Sequence, residues 1–346
     1  MQNTLFGGKI MKKLGLFLFI MTLFVGLLIG CSQNTNNPNN ESSSNNGTEE
    51  TAGNDTNETE NSTDGGQWPH TITDAMGREI VLEKKPEKTA LLFFRNYEHM
   101  FLLEEFPIAA SDLNVLDDWA SLTPYQGQYT ITDVGSMTEP NVEKLLEIQP
   151  DVILMFAGWH EKYGEKVEKI APVITVDSNE NNWQGALRVY GEIFGKEEKA
   201  ETEIERIEKL IQDSKEQLAS YKDKTFGVIM LGEKQFWAFT TQFIFNGDNG
   251  LGLNPPENYV DLSSKGEEIS LEGLVAMDLD YIFVADINGS PETRDAYLKE
   301  LEQDSAWNAM KAVKNGHVYP LDSSIAAGGP LGIELGVKTI INSLKE

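Results

Sequence analysis

Two segments of the chain carry the same order of polar and apolar positions. Residues 140–156 read PNVEKLLEIQPDVILMF, and residues 269–285 read ISLEGLVAMDLDYIFVA. At a constant offset of 129 residues, Glu143 falls on Glu272, Leu145 on Leu274, Leu146 on Val275, Ile148 on Met277, Asp151 on Asp280 and Ile153 on Ile282. Each segment predicts a short helix, a turn at its aspartate and then a buried apolar strand. Asn141 and Ser270 suit the N-cap, because a short side-chain oxygen accepts from the free N–H groups of a first helical turn. Glu143 and Glu272 then occupy the second helical position, where the helix dipole favours negative charge. A helix–turn–strand unit used twice predicts two similar lobes, each with one acid at an exposed tip.

The remaining pattern fills in those lobes. TITDAMGREIVL (71–82) alternates as a hairpin about Met76-Gly77. TALLFF (89–94) reads as a buried strand, and Arg95 to Glu98 leave it toward a helix through Leu103. A strand and loop carry Asp112 to Trp119, and the strand 151–156 is followed by Ala157-Gly158-Trp159-His160, a helix to Ile170 and the strand PVITVD (172–177). Between residues 196 and 221, Ala200, Ile204, Ile207, Ile211, Ser214, Leu218 and Tyr221 recur at steps of three and four, predicting one helix of roughly 35–40 Å. TFGVIML (225–231) opens a second lobe, Asn315-Gly316 turns into a last strand, and Pro330 onward forms a closing helix. Strands alternating with helices imply an α/β fold: two lobes with mainly parallel central sheets, joined by one long α-helix, with a ligand cleft between them. The boundaries fall at 68–195, 196–222 and 223–346.

Composition changes the picture at the N-terminus. Lys12 and Lys13 precede the apolar run LGLFLFIMTLFVGLLI (14–29), so residues 1–30 read as a signal peptide. Residues 31–67 are poor in apolar side chains, with no aromatic before Trp68, and cannot offset their ordering entropy; they predict a disordered tether. The formal net charge of −27 argues against nucleic acid, which calls for basic stripes, and against electrostatic attachment to anionic lipid. Cys31 is the single cysteine, so no intrachain disulfide forms.

Searching for chemistry yields no Gly-x-Ser-x-Gly elbow, phosphate loop or Gly-x-Gly-x-x-Gly, and none of His70, His99, His160 and His317 stands in a short ligand spacing. Nothing here favours an enzyme. Aromatic and polar residues do gather after strand ends, where α/β folds place ligands. Arg95, Tyr97, Trp119, Trp159, His160, Trp237 and Phe239 are the candidate ligand-binding residues, in a stacking-rich cleft suited to a sizeable organic ligand.

Taken together, several stretches resemble the substrate-binding lipoproteins of ferric-siderophore and cobalamin ABC importers. They are Leu28-Ile29-Gly30-Cys31, which resembles a bacterial lipobox, the tether, ITDAMGREIVL, DVGS before PNVEKLLEIQPDVIL, IAPVITVD, the long mid-chain helix and AVKNGHVYPLD. The resemblance implies a monomer on the extracytoplasmic face of the membrane, anchored by lipid on Cys31, with no cofactor and no directly bound metal. It delivers an Fe(III)-siderophore to an ABC permease with its ATPase, through Glu143 and Glu272 as permease-docking residues. Only five arginines are present (Arg78, Arg95, Arg188, Arg206, Arg294), which favours a weakly charged or cationic ferric hydroxamate over a multiply anionic chelate. Two alternatives stay open: haem or cobalamin as cargo, with His160 as an axial ligand of haem, and a surface metallohydrolase built on His99 and His160.

Overall fold

The alternating stretch pairs with itself. β1 (His70–Thr73) and β2 (Glu79–Leu82) run antiparallel, and the chain reverses at Gly77, whose φ of +74° suits glycine. This computed structural model describes residues 68–177, 182–232, 235–239, 242–257, 259–265, 267–286 and 291–345. The expected signal peptide (1–30), Cys31 and the tether (31–67) lie outside the described residues.

The first lobe is a doubly covered sheet. In chain order it contains β3 (Thr89–Leu92), a 3-10 turn (Phe94–Asn96), α1 (Tyr97–Leu102), β4 (Ala109–Ala110), α2 (Val115–Asp118) and a second 3-10 turn (Ala120–Tyr125). There follow β5 (Thr132–Asp133), β6 (Gly135–Ser136), β7 (Glu139–Pro140), α3 (Val142–Ile148), β8 (Val152–Phe156), α4 (Ala157–Val167) and β9 (Val173–Val176). Its main sheet has the order β5-β4-β3-β8-β9 with every pairing parallel. All four residues of β3 are buried, as expected of a strand covered on both faces.

α5 (Trp183–Phe194) and α6 (Glu197–Gln217) lead to the second lobe. The apolar stripe of α6 is the expected one: Ala200, Ile204, Ile207, Ile211, Ser214 and Leu218 are all buried. The helix is shorter than its periodicity implies, roughly 31 Å at 1.5 Å per residue. Its last turn tightens into a 3-10 turn (Ala219–Tyr221), and the Tyr221 hydroxyl donates to the carbonyl of Leu344.

The second lobe contains β10 (Phe226–Gly232), β11 (Gln235–Ala238), α7 (Gln242–Phe245), α8 (Tyr259–Lys265), β12 (Glu268–Ile269), α9 (Leu271–Ala276) and β13 (Tyr281–Asp286). It ends with α10 (Pro291–Leu301), α11 (Ser305–Ala309), α12 (Lys311–Lys314), β14 (Val318–Pro320), a 3-10 turn (Ser323–Ala327) and α13 (Pro330–Ser343). The sheet order is β12-β11-β10-β13-β14. Only its β10–β13 and β13–β14 pairings are parallel; β11 runs antiparallel to both neighbours.

One contiguous core runs through both sheets. It joins Leu91 and Leu154 of the first sheet to Val228 and Phe283 of the second by way of Ile204 and Ile207 on α6 and Val337 on α13. The closing helix, expected to belong to the second lobe, packs against α1, α5, α6 and the 120–125 turn. The two sheets are therefore held by shared close packing, which resists large rearrangement. Among the described residues, no helix is long and apolar enough to cross a membrane.

Candidate ligand crevice and docking acids

β3 and β8 both end in phenylalanine-rich sequence, and that end of the sheet carries the aromatic cluster. Phe93 stacks on Phe156 at 4.6 Å, and Phe94 meets Trp119 edge-on at 5.9 Å. Arg95, on the 3-10 turn after β3, donates from Nη1 to the carbonyl of Ala326 at 3.2 Å. Ala326 lies in the turn that follows β14, so this bond bridges the lobes. A second bridge lies close by in sequence: the Ala120 N–H donates to the Asp322 carboxylate at 3.2 Å. These bonds join the segment after β3 to the turn after β14 at strand ends, the location at which α/β folds take ligands. Arg95 is half-buried there, whereas Trp119, expected to meet ligand, is buried behind Phe94 as part of the core.

Other expected ligand residues stand elsewhere. Tyr97 is fully buried, its hydroxyl donates to the Ser111 carbonyl at 2.8 Å, and burial raises its pKa; it is a core residue. Trp159 is half-buried against the first lobe's core cluster that includes Leu145, Ile153 and Val167, with the Lys162 ammonium 5.6 Å from its ring. His160 is a strut between α4 and the opening hairpin, its Nε2 2.9 Å from Arg78 Nη1 and 2.8 Å from Glu168 Oε1. Both contacts occupy the nitrogen that a haem iron would take.

The hairpin end of that network is strongly held. Asp74 accepts from the Met76 and Arg78 N–H groups, from Arg78 Nε and from both the N–H and the hydroxyl of Thr175. Burial pushes the Asp74 carboxyl up, but the bonds from Thr175 and Arg78 outweigh it and hold it at about 2.

Trp237 and Phe239 are expected in a loop after the strand 225–231, but Trp237 lies in β11, which pairs antiparallel with β10, and Phe239 follows that strand. Trp237 lies within β11 opposite Met230, half-exposed between the buried Phe236 and Ala238. Phe239 follows, half-buried against the shared core, its N–H donating to Val228.

His99 is buried, stacks on Tyr190 at 5.5 Å, and is pushed down to about 3 by desolvation. Among the described residues, no group of three or more His, Cys, Asp or Glu side chains is placed to hold a metal ion. The metallohydrolase reading therefore gains no support from His99 and His160.

Four residues of this region are not among the sequence candidates: Phe93, Phe94, Phe156 and Glu98. TALLFF reads as one strand, but β3 ends at Leu92 and both phenylalanines follow it. Two cavities are outlined by described residues, one of about 410 Å³ between α1, the 120–125 turn, α6 and α13, and one of about 260 Å³ between the hairpin, β9 and α5. None of the seven expected ligand residues lines either one.

The repeated acids stand as the pattern predicts. Asn141 Oδ1 accepts from Lys144 N at 3.0 Å and Ser270 Oγ from Gly273 N at 3.1 Å, so both N-caps form. Glu143 and Glu272 are each the second residue of their helix and are exposed. The likeness continues past the helices. Gln149 and Asp278 are both left-handed, at φ 53° and 46°, and again 129 residues apart. Asp151 Oδ2 then accepts from the N–H groups of Glu87 and Lys88 at the head of β3, and Asp280 Oδ2 from Thr225 at the head of β10.

The chain is similar in sequence and fold to known proteins. The iron-uptake system-binding protein of Bacillus subtilis is 34% identical over 188 residues, which are 54% of this chain and 59% of that protein's length. A probable siderophore-binding lipoprotein of the same organism, YfiY, is 26% identical over 330 residues, covering 92% of this chain and 94% of its own. The crystal structure of the Bacillus subtilis triscatecholate siderophore binding protein FeuA, complexed with ferri-bacillibactin, superposes with a TM-score of 0.66 at 28% identity, covering 80% of this chain and 98% of that one. The family model for periplasmic binding proteins matches residues 104–325, well over half of the sequence, and the chain belongs to that family.

Proposed function

We propose that this protein is an extracytoplasmic, lipid-anchored receptor that captures a ferric siderophore and passes it to an ABC importer. The observation that carries the reading is the meeting of strand ends at Arg95, where the half-buried Phe94 and Phe156 supply stacking surface, backed by the buried Phe93 and Trp119, and a guanidinium crosses between the lobes. Such a site suits a sizeable, mostly apolar chelate with few charges.

Charge favours the hydroxamate class. Of the five arginines, Arg188 pairs with Glu201, Arg206 with Glu203 and Glu334, Arg294 with Asp295, and Arg78 with Asp74 and Glu168. Of these arginines, Arg95 stands at the crevice, and one guanidinium in a chain of net charge −27 favours a weakly charged chelate over a multiply anionic catecholate. Titration of tryptophan fluorescence with ferric hydroxamate, ferric catecholate, ferric citrate, haem and cobalamin tests this. Submicromolar quenching by the hydroxamate alone is expected; selective quenching by another cargo overturns the assignment.

Delivery relies on Glu143 and Glu272 as docking acids for arginine pockets on the permease. Carrying both Glu143→Ala and Glu272→Ala should leave chelate affinity intact and abolish uptake; retained uptake removes that role. Cys31 is the lipidation site, and residues 31–67 give the receptor reach from the membrane. Cys31→Ala should release the protein from membranes into the medium.

A further inference from the structure

Glu98 lies on α1 with 0% of its surface exposed. Its partners are neutral donors. Ser121 Oγ donates to Oε1 at 2.5 Å, Gly332 N to Oε2 at 2.9 Å, and the Leu331 N–H also donates to the carboxylate. Leu331 and Gly332 belong to the first turn of the 14-residue α13, whose N–H groups have no helical partner of their own. The surroundings leave no spare room. A Cβ on Gly329 would fall 2.2 Å from Glu98 Oε2, and one on Gly332 would fall 2.7 Å from the Ser324 carbonyl and 3.1 Å from Glu98 Oε1.

This clamp sits within the same two segments that bridge the lobes. Residues 95–121 carry Arg95, Glu98, Ala120 and Ser121, and residues 322–332 carry Asp322, Ala326 and Gly332. We propose that Glu98 is a positioning residue for ligand capture: it fastens the first turn of α13 to α1 and so fixes the 322–332 strap whose Asp322 and Ala326 bridge to the crevice. The inference rests on the reading of that crevice as the ligand site.

The clamp carries its own reporter. Burial pushes the Glu98 carboxyl up to about 7, with its hydrogen bonds only partly opposing and the Asp322 charge adding to the rise. Charged groups on the elements around it are Arg95 on the preceding turn, Asp322 on the strap, Glu334 and Lys338 on α13, and Lys199, Glu203 and Arg206 on α6. Arg206 and Lys338 are bound to Glu334, and Lys199 to Glu104. His99 follows Glu98 on α1 and stacks on Tyr190 of α5. When protonated, Glu98 can donate to Ser121 Oγ and still accept from the strap. When ionised, it is a buried charge that regains water only if the strap lifts. Lifting therefore becomes easier as pH rises from the ordinary Glu value toward 7, and levels off above it.

Hydrogen exchange of residues 322–332, corrected for intrinsic rates, and affinity for a ferric hydroxamate are to be measured from pH 5 to 8.5 on the full chain. In wild type, strap protection should fall on the order of tenfold or more between pH 5.5 and 7, and affinity should fall in the same direction. Glu98→Gln keeps both hydrogen-bonding roles without titrating, and should flatten both profiles. Ser121→Ala removes a donor to the ionised form and should move the midpoint to higher pH. Equal slopes in wild type and Glu98→Gln, or an exchange slope without an affinity slope, overturn the proposal. The exchange arm uses no ligand, so a wrong cargo shows instead as absent binding at every pH.

Discussion

The tips of the two lobes are alike where the sheets beneath them are not. Asn141 and Ser270, Glu143 and Glu272, Gln149 and Asp278, Asp151 and Asp280 hold equivalent backbone positions, and both caps and both aspartates accept from backbone N–H groups. Yet β3 leads through a helix to a parallel neighbour, whereas β10 folds back at once into antiparallel β11. Crossover connections place a turn and a helix at a strand end; a hairpin removes that space. The consequence is unequal mouths to the crevice. The first lobe contributes a turn bearing Phe94 and Arg95 and the helix α1 bearing Glu98, and the second answers with the strap after β14 in place of a loop after β10. The proposed docking task would constrain both tip units alike, while each sheet answers only to its own packing.

If the tips share one task, each acid should matter to a similar degree. Glu143→Ala and Glu272→Ala singly should each lower uptake by well over tenfold, since removing one member of a desolvated charge pair costs about 2–5 kcal/mol. Uptake rates at saturating chelate would measure this. A variant that loses everything beside one that loses nothing would break the equivalence.

The aspartates behind the tips should differ. Asp280 is buried, accepts from Thr225 N and Oγ1, and holds the Lys311 ammonium at 2.7 Å; Asp151 is half-buried with two backbone donors. Asp280→Ala should cost about 2–3 kcal/mol and Asp151→Ala about 1 kcal/mol by urea unfolding. Acid sharpens the contrast. Burial pushes the Asp280 carboxyl up, but bonds from Lys311 and Thr225 outweigh it and hold it below its ordinary value. Its contribution is full above the unfolded value near 3.9 and lost as pH falls through the lowered native one. Asp280→Asn should remove that part of the acid limb.

How much of this was legible in the sequence follows from the same contrast. Periodicity located α3, α6, α9, β8 and β13 because one buried face fixes the spacing of apolar residues. It did not show that the strand at 225–231 pairs with an antiparallel neighbour, since a short apolar run reads alike before a loop or a hairpin. Nor did it place His160 or Tyr97. A histidine after a strand is equally a crevice ligand or a strut to Arg78, and the choice is made by the hairpin 82 residues earlier. Glu98 was hidden for a related reason: its partners, Ser121 and Gly332, are 23 and 234 residues away.

The N-caps offer a finer comparison. Asn141→Ala and Ser270→Ala should each destabilise by about 1 kcal/mol, and nearly equally, because each side chain satisfies one N–H in an exposed first turn. A large difference in thermal or urea midpoints would show that one tip helix is held by its surroundings instead.

The smallest effect concerns the left-handed residues that end the two tip helices. A side chain at positive φ carries a steric cost that glycine avoids, and aspartate tolerates this region better than glutamine. Glycine also loses more conformational freedom on folding, which takes back part of the gain. At Gln149 the relief should prevail, so Gln149→Gly should stabilise by at most about 1 kcal/mol. At Asp278 the two effects should nearly cancel, and loss of the negative charge that helps hold the Lys311 ammonium shifts the balance slightly against glycine. Urea unfolding of the two variants side by side reads the difference directly. Equal gains would mean that side-chain identity is irrelevant to these turns, and that their matched geometry is imposed wholly by the strands which follow.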